Sequence, residues 1–260
     1  MISFFDLLNS PIFVVITSLL FGSILGSFAN MLIYRLPLNK NIVYPNSFCP
    51  CCKHALSFRN LIPLFSYLFQ KGKCSFCNKP ITFRYFLVEV LYVLLFFGYL
   101  SNGSPIFLNH HLFLFSFGCI ILFFTDIEHY ILPVSLNMSI IVLGLVFSFY
   151  NNVLVANLTS TLIIVSILLL TRLVFNFIYK KDTFGLGDII LLAGISINWG
   201  WGICLMSFYF GAILGGTFSI GLILTKKKKR LDYIAFGPFL ILGFFLGYLL
   251  YPILLATYFF

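Results

Sequence analysis

The stretch VANLTSTLIIVSILLLTRLVFNFI, residues 155–178, carries a single charged side chain, Arg172, and runs directly into Tyr179-Lys180-Lys181. A helix needs about 20 mainly apolar residues to cross the ~30 Å hydrocarbon core of a bilayer, so this segment predicts a membrane span with a basic end. Working outward, comparable apolar stretches occupy residues 11–33, 85–101, 107–125, 133–150, 186–199, 202–224 and 237–258. The expected fold is an all-α polytopic membrane protein with about eight transmembrane helices. The stretch 186–199 is the shortest, cut off by the Asn198-Trp-Gly-Trp-Gly202 turn, and suits a tilted or partly spanning helix. Of the 260 residues 61% are apolar and 9% charged, with a mean hydropathy of +1.06, which excludes an ordinary water-soluble or disordered chain.

Sixteen Lys and Arg oppose seven Asp and Glu, a formal net charge of +9. Such a balance suits nucleic acid or an anionic membrane surface; the apolar content decides for the lipid bilayer, and no nucleic-acid partner is expected. The cations fall in three groups: eight from Arg35 to Arg84, then Arg172, Lys180 and Lys181, then the run Lys226–Arg230. Because cytoplasmic loops collect Lys and Arg, these groups follow spans one, five and seven on the cytoplasmic side, and both termini lie outside. The opposite loops, near 101–111, 150–155 and 199–201, contain no Lys or Arg. Asp6 sits where a secretory signal would be basic, so span one is expected to remain as an anchor. No internal repeat is evident, and the Lys226–Arg230 run reads as a topology determinant that also touches anionic lipid. The expected organisation is a first span in residues 1–34, a cytoplasmic loop domain in 35–84 and a transmembrane domain in 85–260.

Within that loop, Cys49, Cys52, Cys74 and Cys77 form two C-x2-C pairs. Two knuckles that converge across a loop supply the four sulfurs of tetrahedral Zn²⁺, whereas disulfides are rare in a reducing cytoplasm. Cys51 is an alternative ligand that breaks the spacing of its knuckle, while Cys119 and Cys204, inside spans, read as packing residues. The surrounding cations favour thiolates, since no carboxylate lies between Arg35 and Arg84. The apolar segment Leu61–Phe69 is too short to span; it suits the loop domain's core or the membrane interface.

Scarcity makes each carboxylate informative. Asp6, Asp182 and Asp232 read as solvated terminal or loop charges, whereas Glu89 lies about a turn inside span two and needs a partner there. Asp126 ends span three in Phe124-Thr-Asp-Ile-Glu128, and Asp188 opens span six in Phe184-Gly-Leu-Gly-Asp188. The topology puts both at the cytoplasmic membrane edge. If they meet, one can hold a water as general base while the other protonates the leaving group. The blander readings are an N-cap for Asp188 and a helix-end charge for Asp126. Helix polarity favours Asp126 as the acid and Asp188 as the base.

The combined motifs resemble those of the prepilin peptidases, or prepilin leader peptidase/N-methyltransferases, along nearly the whole chain. They are Gly26-Ser-Phe-Ala-Asn30 with Ile33-Tyr-Arg-Leu-Pro37, the double C-x2-C, Leu61-Ile-Pro63, Arg84-Tyr85 with Val88-Glu89, Thr125-Asp126 with His129-Tyr-Ile-Leu-Pro133, Gly185-Leu-Gly-Asp188 and Phe236-Gly-Pro-Phe239. The resemblance implies an intramembrane aspartic peptidase of the GxGD type in the bacterial cytoplasmic (inner) membrane, with Asp126 and Asp188 as the catalytic pair. Its substrates would be membrane-inserted prepilins or pseudopilins of type IV pilus or type II secretion systems, cut after a short basic leader. It further implies methylation of the new N-terminus with S-adenosylmethionine as methyl donor, a function associated with members that carry the zinc loop. Two departures stand out: Val134 where the family often has Asp, and Ile190 where it often has Lys. The rival classes are a proton-coupled transporter using Glu89, Asp126 and Asp188, and a non-catalytic zinc-stabilised assembly scaffold.

Overall fold

The computed structural model describes residues 10–44, 46–101, 106–180, 184–226 and 233–258. Asp6, Asp182, Asp232 and residues 227–230 of the basic run lie outside the described residues. Helix α1 (Pro11–Arg35) opens on Ser10, whose hydroxyl accepts from the Phe13 N–H at 3.3 Å, and carries a π-turn at Ser18–Gly22. After it come a 3₁₀ turn (Phe58–Leu61) and the helices α2 (Phe65–Phe69), α3 (Arg84–Ser101), α4 (Ile106–His129), α5 (Val134–Tyr150), α6 (Leu154–Tyr179), α7 (Leu186–Leu224) and α8 (Gly237–Tyr258). Among the described residues there is no β-strand, only two isolated bridges, Phe48 with Ala55 and Lys73 with Pro80. Among the described residues five helices (α1, α3, the His110–His129 part of α4, α6 and α7) are long and apolar enough to cross a membrane; α5 and the Gly237–Tyr251 part of α8 are shorter apolar helices.

The chain divides into two compact units, Met1–Ile121 and Leu122–Phe260, with the division inside α4. In the first, α1 packs closely on α3. A Cβ added to Gly26 would stand 2.6 Å from the Glu89 Cα, so only a residue without a side chain lets the two backbones approach this way. Asn30, one turn further, donates to the Tyr85 carbonyl at 2.9 Å and accepts from Arg84 Nη1 at 3.3 Å, which fixes the start of α3.

In the second unit α7 is the central element, packed against α5, α6 and α8. Gly200, with φ 79° and ψ 177°, breaks its helical path, and the chain reverses there: Cys204 Sγ donates to the Leu192 carbonyl at 3.4 Å, a contact impossible along one straight helix. The turn expected at 198–202 is thus a hairpin between two helical halves, 186–199 and 201–224. The first half is only about 21 Å long by helix rise, and every residue from Leu191 to Asn198 is buried. Asn198, Ile197 and Ser196 are paired within the unit: Asn198 Nδ2 donates to the Ile140 carbonyl at 2.9 Å, Ser148 Oγ to that of Ile197 at 2.7 Å, and Thr161 Oγ1 to Ser196 Oγ at 3.0 Å.

The Leu61–Phe69 segment does not fill a core. Tyr67 stacks on Phe86 of α3 at 5.4 Å, while Phe65, Leu68 and Phe69 are exposed, Phe69 by 82%. That one-sided display is what an interfacial helix presents to lipid.

Candidate active site and metal centre

Asp126 lies in the last turn of α4, which continues to His129 rather than ending at the aspartate; Tyr130, at φ 55°, then turns the chain. Asp188 lies in the first turn of α7. It is not the N-cap, a place taken by Gly185. Each carboxylate rests against a glycine. A Cβ built on Gly237 would stand 2.8 Å from Asp126 Oδ2, and one built on Gly185 2.8 Å from Asp188 Oδ2. The Gly237 N–H donates to Asp126 Oδ2 at 3.0 Å, tying the end of α4 to the start of α8. Leu132 closes the group from the α4–α5 turn, since a Cβ on Gly187 would meet its Cβ at 3.0 Å and one on Gly237 its two methyls at 3.2 Å.

The two aspartates are close enough to interact electrostatically, although 62 residues separate them. Asp126 is buried and Asp188 half-buried. Two carboxylates so placed can share a proton and polarise a water, the chemistry of an acid–base pair. Helix polarity does not divide the roles as the sequence suggested. The Gly237 N–H gives Asp126 a donor from a helix N-terminus too, so both carboxylates face one. Sequence reasoning picked out both acids but assigned nothing to Leu132 or Gly237. Both sit in quoted motifs, yet only the fold shows that they touch the site.

The cysteine loop brings Cys49, Cys52, Cys74 and Cys77 together, with all four sulfurs within 4.8 Å of one another and Cys49 Sγ 3.9 Å from Cys77 Sγ. A tetrahedral zinc with bonds of about 2.3 Å separates its sulfurs by roughly 3.8 Å, so the cluster fits that ion. Cys51 is exposed and outside the cluster. The two knuckles repeat one hydrogen-bond pattern. Cys49 N–H donates to His54 O and Lys53 N–H to Cys49 O; Cys74 N–H donates to Lys79 O and Asn78 N–H to Cys74 O. Lys53 at φ 58° and Asn78 at φ 56° hold the same left-handed position. This is a local repeat that sequence comparison missed, because only the cysteines are shared. N–H groups of Cys77 and Phe76 lower the Cys74 thiol to about 7. Cys77 is pulled down by the Lys79 N–H, yet burial and the neighbouring sulfurs push it up to about 11. Crowded sulfurs of this kind resist becoming four anions until a cation joins them.

Glu89 has its partner in the loop rather than among the helices. Its Oε2 accepts from the Leu64 N–H at 2.6 Å, and Leu64 is held at φ 62° to present it. The aspartates belong to the second unit and Glu89 to the first.

Two family models match the chain. The family model described as Bacterial Peptidase A24 N-terminal domain matches residues 20–102, and that of the Type IV leader peptidase family matches residues 113–220. A prepilin leader peptidase/N-methyltransferase of Dichelobacter nodosus is 31% identical over 279 residues, covering 94% of each chain. The enzyme of the same name from Pseudomonas aeruginosa is 28% identical over 269 residues, covering 90% of this chain and 89% of its own. That from Myxococcus xanthus is 41% identical over 140 residues, covering 54% of this chain and 41% of its own. No solved structure gives a significant match.

Proposed function

The chain belongs to the type IV leader peptidase family, and from that premise we propose that it cleaves prepilins or pseudopilins with Asp126 and Asp188 as its catalytic pair. The observation that carries the reading is the convergence of these two carboxylates, one tied to the start of α8 and the other set in the first turn of α7. In the proposed step one ionised carboxylate takes a proton from a water whose oxygen attacks the scissile carbonyl carbon. The other, protonated, gives its proton to the carbonyl oxygen, and proton transfer to the departing nitrogen completes the cleavage. Both roles stay open between the two aspartates. The basic segments and both aspartates face the cytoplasm of a bacterial inner membrane, where a basic leader would meet them. We propose a structural zinc held by Cys49, Cys52, Cys74 and Cys77 in the loop domain of residues 35–84, with residues 85–260 as the peptidase domain.

The relatives' second activity, N-methylation, is proposed here as well, on the new N-terminus left by cleavage. Bound S-adenosylmethionine would supply an electrophilic methyl group on a sulfonium sulfur. The test of the peptidase reading uses the purified protein in detergent with a prepilin substrate. Asp126→Asn and Asp188→Asn should each lower cleavage by at least ~10³-fold, in the range seen when a proton-transfer partner is lost. Cleavage by both variants at the wild-type rate would sink it.

A further inference from the structure

We propose that the Asn137 side chain holds the substrate's peptide backbone beside the scissile bond. The inference rests on the peptidase reading above and adds a binding residue to it. Asn137 lies one turn into α5, where its N–H donates to the Pro133 carbonyl at 3.1 Å. The buried residues of α5 are Asn137, Ile140, Gly144 and Ser148, a spacing that puts them on one face of the helix. That face packs on the first half of α7. A Cβ on Gly194 would stand 3.1 Å from Ile140 Cγ2 and one on Gly144 2.6 Å from Asn198 Nδ2, while Ser148 Oγ donates to the Ile197 carbonyl. With Leu132 against Gly187, these contacts make the two helices parallel, both starting at the aspartates. From Ile140 back to Asn137 is about 4.5 Å of helix rise, and from Gly194 back to Asp188 about 9 Å. Asn137 therefore sits about 4.5 Å further along the helix pair than Asp188, just under one turn.

The amide sets this residue apart. Asn137 is 1% exposed, yet among the described residues neither its Oδ1 nor its Nδ2 has a hydrogen-bond partner. By contrast Ser148, Asn157, Thr161, Ser196 and Asn198, in the same helix packing, are all hydrogen-bonded. An unpaired buried amide lowers stability, and one kept beside reacting groups points to a ligand rather than to the fold. The reaction supplies that ligand's chemistry. An apolar segment in a bilayer keeps its N–H and C=O groups paired with one another in a helix. A bond that is to be cut has to leave the helix so that water can approach its carbonyl carbon, and unwinding orphans a donor and an acceptor in a low-dielectric surround. A primary amide carries a donor and an acceptor in one plane and can satisfy both. Because α7 leads away from Lys180 at the basic edge, a residue beyond Asp188 meets the apolar part of the substrate and not its charged leader. Val134 and Met138, which flank Asn137 on α5, are exposed, so a substrate that displaces their side chains reaches the amide.

The test compares the full-length wild type with Asn137→Leu in detergent. The substrates are a prepilin and a set of ligated prepilins in which single backbone N–H groups on the apolar side of the scissile bond are replaced by ester oxygens. Leucine has nearly the volume of asparagine and no polar atom, so thermal melting should find the variant at least as stable as wild type. Its kcat/KM should nevertheless fall about tenfold or more, as for a lost buried hydrogen bond, and Asn137→Ser, which keeps a donor and an acceptor, should lose less. At one ester position wild type should lose about tenfold and Asn137→Leu less than about twofold, since the variant has no partner left to lose there. Equal ester penalties in both proteins at every position, or cleavage by Asn137→Leu at the wild-type rate, would overturn the proposal while leaving the peptidase standing. A wild-type protein that cleaves no prepilin would remove the peptidase reading and the role of Asn137 with it.

Discussion

At the scale of single residues, the candidate site depends on what glycine leaves out. The atoms that a Cβ on Gly237 or Gly185 would crowd are the tips of Asp126 and Asp188, both at 2.8 Å. A carboxylate tip can swing away at little cost to the fold, so the strain falls on catalytic geometry. Gly237→Ala and Gly185→Ala should each lower kcat about 10- to 100-fold while KM changes by less than about threefold, as expected when reacting groups are displaced by a fraction of an ångström to 1 Å. Steady-state cleavage with a thermal melt on each variant checks this; unchanged kcat in both would show that the glycines serve only backbone packing. The aspartates were legible in the sequence because acids are so scarce. The Gly237 N–H was not, because 111 residues separate it from Asp126 and a backbone donor has no residue-type signature.

Among the elements, the knuckles show how far spacing alone carries. Two C-x2-C pairs announced four ligands, and the structure gathers those four while leaving Cys51 exposed outside them. What spacing could not announce was the duplicated turn, since Lys53 and Asn78 share a backbone conformation and no side-chain chemistry. In the second loop the Phe76 and Cys77 N–H groups face the Cys74 sulfur, so a metal would meet a prearranged shape there. The purified protein should contain about one zinc per chain, and replacing Cys74 and Cys77 by Ser should abolish it, because two remaining sulfurs cannot close a tetrahedral site. Elemental analysis decides; an intact wild-type protein without zinc would refute the site. The hairpin at Gly200 was legible from its Gly and Trp cluster, whereas the burial of residues 191–198 was not. A helix apolar on all sides gives no clue to which neighbours cover it.

For the molecule as a whole, charge sorting and apolar length made the polytopic class readable, but not the division of the chain. The loop and its cavity belong to the unit Met1–Ile121, and every group placed around the aspartates to Leu122–Phe260. A partition that falls inside one continuous helix has no linker to betray it in composition. Its consequence is that the two chemistries should be separable. Cys49 and Cys74 line a cavity of the first unit, whereas the groups placed around Asp126 and Asp188 are Gly185, Gly187, Leu132 and Gly237 of the second. Stripping zinc with a chelator should therefore lower N-methylation by at least tenfold while cleavage stays within about threefold of its starting rate. Cleavage and methylation measured on one chelated sample, with zinc restored afterwards, make the comparison internal. Parallel loss of both activities, and parallel recovery, would mean that the cysteine loop supports the aspartates as well, and the separation of chemistries by unit would fail.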